Sequence, residues 1–497
     1  SDNFFAKRNT FYSYSGFETT IRVTTRFSAP TGACSATANT ALDDELCVKR
    51  TIAGDDTLIR STDAHGNVTR FWANARGQMA LIENSQGDLS AARYNAFDQR
   101  TWLSDPDMGS WTFDYTGAGE LIEQIDAKGQ VFAFDYDPLG RLTTRLADGG
   151  TSVIVDEWDY DRPAAGLLER TRRLIDGQPV FDRTFAYDDQ LRTRGQTTFL
   201  DPTPQMPGGE WIGFDQTWQS DPYFARVFSR TDPEGRFRAE YRYSRDGYRT
   251  EVRDAAAGQV LKEVTEHSRR GQLKQAKFGN GIEDKRTYNR RTGQITAIDI
   301  DNGAVADLTY DYDAFGNLSA QGNDKTFVTE FYSYDRLHRL LGRGSIQIDD
   351  ASYRYDALGN ITHKSDYAST YRYGQAKQPR PAGCTRVFTD FDLTPGPHAV
   401  TEVSGLFAGG PDHNLAYDAN GNVICAGDGA LDVEYDPYNL PTEVERFGTV
   451  QQFGYGPDLQ RFVQRADDKT TIYLGRGYEQ VDNGPARFQI DEDVLVR

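Results

Sequence analysis

Carboxylates are the commonest reactive groups here: 74 Asp and Glu stand against 55 Lys and Arg and only six His. Close pairs such as Asp491 with Asp493, or Asp156 with Glu157, have the residue types that acid–base work at a glycosidic bond requires. Nothing in the sequence sets either pair across a substrate, and solvated charges on strands account for both. The histidines, His65, His267, His338, His363, His398 and His413, are scattered, with no H-x-H or H-E-x-x-H. There is no G-x-S-x-G nucleophile turn. Gly279-Asn280-Gly281 reads as a turn, because no phosphate-loop Lys-Ser/Thr follows. Asp418, Asn420 and Asn422 alternate oxygen donors as a calcium loop does, but that spacing belongs to a repeat whose turn chemistry explains it. The expectation is no catalytic, cofactor or metal site, and no enzyme.

Exposed aromatics could stack on carbohydrate, and Trp102, Trp111, Trp158, Trp211 and Trp218 are the candidates. Packing in a thin β-layer is the commoner fate of Trp. Asn67-Val68-Thr69, Asn317-Leu318-Ser319 and Asn360-Ile361-Thr362 match a glycosylation sequon, but each falls at a repeat turn.

The residues that must position everything else are the Tyr-Asp dipeptides. Tyr136-Asp137-Pro138-Leu139-Gly140-Arg141-Leu142 recurs as Tyr312-Asp313-Ala314-Phe315-Gly316-Asn317-Leu318. It recurs again as Tyr355-Asp356-Ala357-Leu358-Gly359-Asn360-Ile361 and Tyr417-Asp418-Ala419-Asn420-Gly421-Asn422-Val423. Weaker copies begin at Trp72, Tyr94, Tyr187, Tyr288, Tyr334 and Tyr435. Steps between anchors at 72, 94, 115 and 136, or at 312, 334 and 355, are 21 or 22 residues. That period suits one β-hairpin.

The chemistry of the motif agrees. Asp137, Asp313, Asp356 and Asp418 can each accept hydrogen bonds from turn N–H groups. Gly140, Gly316, Gly359 and Gly421 can take a positive φ without a Cβ clash. A four-residue loop closed by a left-handed residue is a common hairpin connection. The Tyr is placed to stack on its equivalents in adjacent repeats. Segments such as Phe132-Ala133-Phe134-Asp135-Tyr136 alternate as half-buried strands do. A lone hairpin cannot bury its apolar face, so neighbours must stack. The expected fold is all-β: a long antiparallel meander of these hairpins, coiled by strand twist.

Four regions follow. Residues 1–60 carry no clear copy and read as an irregular N-terminal cap or edge segment. Residues 61–374 form the repeat body, with a Pro- and Gly-rich insertion at about 200–225. Residues 375–416 form a second irregular insertion, and 417–497 hold C-terminal repeats.

Bulk properties narrow the partners. A net charge of -19 argues against a nucleic-acid phosphate backbone and is compatible with a basic protein partner or cargo. No run of about 18 apolar residues exists, so no membrane span is expected. The start SDNFFAKRNT has neither an initiator Met nor a signal-like segment, so the chain reads as a processed or excised piece. The four Cys lack metal-site spacing, and an even count fits two disulfides in an oxidising compartment. Cys34 with Cys47, and Cys384 with Cys425, would each staple an irregular segment; four unpaired thiols remain the alternative.

The ordered series toward the C-terminus is the most specific feature. It runs Pro397-His398-Ala399-Val400-Thr401, Tyr417-Asp418, Tyr435-Asp436-Pro437-Tyr438-Asn439-Leu440, Tyr455-Gly456-Pro457-Asp458 and Tyr473-Leu474-Gly475-Arg476. With the repeats, it resembles the Rhs/YD-repeat proteins: bacterial Rhs proteins, Tc toxin B/C-type shells and the teneurin YD shell. The resemblance covers roughly residues 60 to 497 and implies a strip spiralling into a hollow shell or barrel. It further implies a toxin or effector enclosed by that shell, or a partner chain completing it. In the family a self-cleaving site follows a D-P-x-G-type core motif; this chain runs to Asp491-Glu492-Asp493-Val494-Leu495-Val496-Arg497, before the place where that core motif would occur, so no cleavage site or toxin carries over.

The reading is a non-catalytic structural shell, secreted by or on the surface of a bacterium, which encloses or presents a toxin. The alternative is a cell-surface adhesin or filament subunit that self-assembles, with carbohydrate as a further partner. A polysaccharide-active enzyme ranks below both.

Overall fold

The computed structural model describes the backbone of residues 9–15, 18–24, 45–52 and 58–496, except 151, 204–210, 375–394, 407–412, 428–430, 476 and 483. Side chains are described from residue 59. Every regular element among the described residues is a β-strand. Nearly every strand pairs antiparallel with the strand that follows it, as in Val131–Tyr136 with Leu142–Asp148 and Val328–Tyr334 with Leu340–Ser345. The all-β antiparallel meander expected from the repeat is the fold observed.

One hairpin shows why these residues make it. Asp137 N–H donates to the Arg141 carbonyl at 2.9 Å, and Gly140 N–H donates to the Asp137 carbonyl at 2.9 Å. Asp137 Oδ1 accepts from the N–H groups of Leu139 at 2.9 Å and Arg141 at 3.0 Å. Gly140 closes the turn at φ +77, a conformation that costs a Cβ-bearing residue roughly 1 kcal/mol or more. At the last anchor the space is closed as well. A Cβ on Gly421 would lie 2.4 Å from the Asp107 carbonyl oxygen.

The register then slips by one residue beside each Tyr. Asp135 pairs with Thr144, but Tyr136 pairs with Leu142, and the same slip precedes Tyr312, Tyr355, Tyr417 and Tyr455. A bulge bends its strand and raises local twist. The motif thus writes one twist-increasing defect into every period.

The chain divides into two compact units. One comprises residues 1–112, 287–383 and 387–428; the other comprises 113–286, 384–386 and 429–497. In the first unit few side chains are fully buried, and those are mostly small, such as Ala351, Ala368 and Ala416. Strands there alternate half-buried and exposed positions, as in Val328–Tyr334.

The second unit has a true core. Phe181, Leu200, Phe214, Tyr241 and Val252 pack with Phe462, Ile472, Tyr478, Phe488 and Ile490 from strands near the C-terminus. Phe214 meets Tyr478 edge to face at 5.6 Å, and Phe181 lies 5.4 Å from Phe462. Each such ring removes on the order of 2–3 kcal/mol of apolar surface from water. Here strands from the middle and the end of the chain close over one another to make this core.

Two expected irregular regions contain strands. Within 1–60, Asn9–Ser15, Glu18–Thr24 and Glu45–Ile52 pair in succession. Within 200–225, Ile212–Ser220 pairs with Thr193–Leu200. ETTIRVT and IGFDQTWQS alternate polar and β-favouring residues, which suffices for a strand without a Tyr-Asp turn.

Candidate functional site

The repeat supplies the most frequent polar device in the chain. Asp313, Asp356 and Asp418 each accept N–H bonds from the residues two and four positions on, at 2.8–3.0 Å. The second carboxylate oxygen of each takes the side-chain amide of Asn317, Asn360 or Asn422 at 2.8–2.9 Å. Asp137 instead takes Arg141 Nε at 2.6 Å. Gly316, Gly359 and Gly421 stand at φ +93, +96 and +85. Asp137, Gly140, Asp313, Gly316, Asp356, Gly359, Asp418 and Gly421 each lie in a hairpin turn.

The tyrosines do something that their sequence positions conceal. Tyr355 hydroxyl donates to the Leu340 carbonyl at 2.8 Å, Tyr334 to Leu318 at 2.8 Å and Tyr373 to Ile361 at 2.8 Å. Tyr160, Tyr187, Tyr243, Tyr417 and Tyr455 repeat the bond to Leu142, Leu168, Val227, Val400 and Pro441. Each phenol therefore ties its own repeat to the return strand of the preceding one. A stack of Tyr on Tyr was expected; the hydroxyl-to-carbonyl bridge takes its place. Tyr417→Phe is expected to cost about 1 kcal/mol, because Tyr417 is buried and the Val400 carbonyl loses its donor. Urea unfolding of the two proteins measures the difference, and identical midpoints would sink the bridge as a stabilising element.

Two of the most buried charges form one cluster in the second unit. Asp156 is wholly buried and Arg173 is 1% exposed. Arg173 Nε donates to Asp156 Oδ1 at 2.6 Å, and Arg145 Nη2 donates to Oδ2 at 2.6 Å. Both guanidiniums also reach the C-terminal strands, at the carbonyls of Tyr455 (3.0 Å) and Pro457 (2.9 Å). Tyr438 donates to Asp156 Oδ2 at 3.2 Å beneath Arg145. Burial pushes the neighbouring Asp436 carboxyl up to about 6, although the N–H groups of Leu440 and Tyr438 and the Arg173 charge pull it down.

A second cluster pins the final hairpin. Lys262 Nζ donates to both Asp491 and Asp493 at 2.8 Å, and Arg249 Nη1 donates to Asp491 at 2.6 Å. Tyr241 hydroxyl donates to the Ile490 carbonyl at 2.9 Å. The carboxylate pairs singled out by sequence are therefore spent on cations. Asp156 faces Arg145 and Arg173, whereas Glu157 pairs with Arg172.

The histidines stay apart. His65 contacts Asp335 at 3.2 Å, His398 contacts Asp107 at 2.6 Å, and His338 contacts Asn317 at 2.9 Å. His363 reaches the Ser369 carbonyl, and His267 stacks on Tyr248. Among the described residues no group of His, Cys, Asp and Glu is placed to hold a metal ion. Of the tryptophans, Trp102 lies under Arg93 and Trp158 near Arg145, while Trp111 and Trp218 donate to backbone carbonyls. Only Trp211 among these five is exposed, at 37%. Cys425 is buried; Cys34, Cys47 and Cys384 lie outside the residues with described side chains.

The chain is similar to known proteins in sequence and fold. Residues 115–152 match the RHS Repeat family. Teneurin-m of Drosophila melanogaster is 25% identical over 366 residues, covering 62% of this chain and 13% of that protein. Double-stranded DNA deaminase toxin A of Burkholderia cenocepacia (strain H111) is 25% identical over 167 residues, covering 33% of this chain and 11% of that protein. A Photorhabdus luminescens Tc holotoxin pore superposes on 97% of the chain with a TM-score of 0.71 at 14% identity. A TcdB2–TccC3 structure superposes on 97% with a TM-score of 0.61 at 14% identity. The chain spans 26% and 28% of those two solved chains and far less of the curated relatives. At this identity the likeness is one of fold. Turn chemistry, period and these likenesses together support an Rhs/YD-repeat family for this chain.

Proposed function

We propose that the chain is part of the wall of a YD-repeat shell, which encloses or presents a toxin or effector segment, or completes a shell with a partner chain. The observation that carries this is the recurrence of bridged hairpins along the described chain, in the fold of the Tc holotoxin chains. Polar chemistry in the chain is spent on holding strands together, which suits a wall rather than a catalyst. The setting is extracellular, secreted by or on the surface of a bacterium. There Cys34 would pair with Cys47 and Cys384 with Cys425, which a non-reducing peptide map checks. No helix among the described residues is long and apolar enough to cross a membrane.

The test is limited proteolysis of the gene's complete product. A segment outside residues 1–497 should be cut far more slowly in the intact protein than when expressed alone. Equal cutting rates, or a product with no such segment and no copurifying chain, would sink enclosure. An adhesin or filament subunit is the second reading, favoured by the surface features described next.

A further inference from the structure

In an antiparallel meander, successive turns alternate between the two ends of the strands. One rim of each unit therefore carries the Tyr-Asp turns, and the opposite rim carries the intervening ones. On four adjacent tips each, the two units expose apolar ridges of opposite charge character.

In the second unit the ridge lies on the Tyr-Asp rim, at tips 188–192, 221–226, 244–248 and 268–272. Tyr223 is 88% exposed, Phe224 70%, Leu191 53% and Tyr248 42%. The tips are tied to one another. Arg192 Nη1 donates to the Asp221 carbonyl at 2.8 Å, and Gln190 Nε2 donates to that of Pro222 at 3.3 Å. Arg226 lies against both Phe224 and Tyr243. Arg245, Arg269 and Arg270 are exposed along this ridge, with Asp189 and Asp246 as its exposed acids.

In the first unit the ridge lies on the opposite rim, at tips 301–305, 324–327, 346–350 and 365–367. Ile346 is 87% exposed and Phe327 79%, with Tyr367 and Val305 near half exposure. Here the exposed charges are mostly carboxylates: Asp324, Asp349, Asp350 and Asp366 against Lys325. Lys325 Nζ donates to the Val305 carbonyl at 3.1 Å, and Thr329 N–H donates to Gln347 at 3.4 Å. These bonds hold neighbouring tips in line.

Contiguous exposed aromatic and aliphatic side chains of this kind mark interaction surfaces, and Tyr and Arg are favoured anchors in them. The occupant is indicated by complementarity. Both ridges are four tips long, and both have the spacing of alternate strands, roughly 10 Å per tip. One carries three exposed arginines against two exposed acids, the other four exposed carboxylates against one lysine. We propose that the chain associates head to tail with a second copy of itself, the arginine-bearing ridge of one copy meeting the carboxylate-bearing ridge of the next. Two different surfaces meet, so the contact is heterologous and can propagate. A ridge roughly 30 Å long sits at the small end of interface sizes, so association depends on concentration.

Sedimentation velocity of the 497-residue chain tests this. At low ionic strength the mean mass should climb beyond a dimer with concentration, and at high ionic strength it should fall back toward the monomer. Tyr223→Ser with Phe224→Ser, or separately Asp349→Arg with Asp350→Arg, should each give a monomer. An equimolar mixture of those two variants retains one good ridge on each, so it should form a dimer and nothing larger. Arg269→Asp with Arg270→Asp should also give a monomer, and adding the Asp349→Arg and Asp350→Arg changes to it should restore the series. Unchanged circular dichroism and melting confirm that each variant is folded. A wild-type chain that stays monomeric, or association that ignores these variants, overturns the proposal.

Discussion

Asp156→Ala should lower the stability of the second unit by about 3–5 kcal/mol, the range for breaking a buried ion pair from one side. The loss is large because Arg173 stays buried with its counter-charge gone, and Arg145 and Tyr438 lose the same oxygen. Those guanidiniums also hold the Tyr455 and Pro457 carbonyls. Losing the carboxylate therefore loosens the C-terminal layer from the strands that it covers. Urea unfolding followed by tryptophan fluorescence reads the change, since Trp158 lies on the same strand. Replacing Asp156, Arg145 and Arg173 together by Leu and Met should cost far less, because no charge is left buried alone. A single-variant loss below about 1 kcal/mol, the scale of a surface pair, would show that solvent reaches the cluster.

Stability of the second unit should also fall as pH rises from about 4 to about 6, through Asp436. Its carboxyl is pushed up to about 6 in the folded chain, by burial first and the Asp156 charge last. Unfolded, it titrates near 3.9. In that window the folded state holds a proton that the unfolded state has lost, so unfolding becomes easier with rising pH. The contribution is complete below about 4 and gone above about 6, on the order of 2–3 kcal/mol. Asp436→Asn keeps an oxygen for the N–H groups of Tyr438 and Leu440, which donate to it at 2.9 and 3.0 Å. The variant should therefore be more stable at neutral pH and should lack this slope. Melting temperatures of both proteins across pH 4–8 give the answer. Parallel curves for the two would remove Asp436 as the cause.

Both effects arise in the layer that the sequence hid. The Asp-x-x-Gly turns were legible because every hydrogen-bond partner of the Asp137 and Asp356 carboxylates lies within four residues, at a spacing visible in one line of text. Strand identity was legible for the same local reason, and where a Tyr-Asp turn was missing, as in Ile212–Ser220, the strand was overlooked. The Tyr bridges were half legible. Tyr355 stood out, but its acceptor is a backbone carbonyl on Leu340, a group with no side-chain signature. Asp156 and Asp491 looked like any other strand carboxylates: the cations of Asp156 sit on the adjoining strands, but the Tyr438, Tyr455 and Pro457 contacts that bury the cluster, like the cations of Asp491, come from far along the sequence.

The sequence by itself thus determined the unit: an Asp-capped turn, a left-handed Gly, a bulge-forming Tyr and alternating strands, all set by contacts a few residues apart. Only the tertiary structure decided which carboxylates are buried. That depends on the C-terminal strands folding over Val153–Tyr160 and Leu168–Ile175, which sets Tyr438 against Asp156, 282 residues away. Local chemistry repeats along the chain and can be read as repetition. Burial depends on which repeat meets which, and one copy of a repeat carries almost no record of its neighbour across the layer.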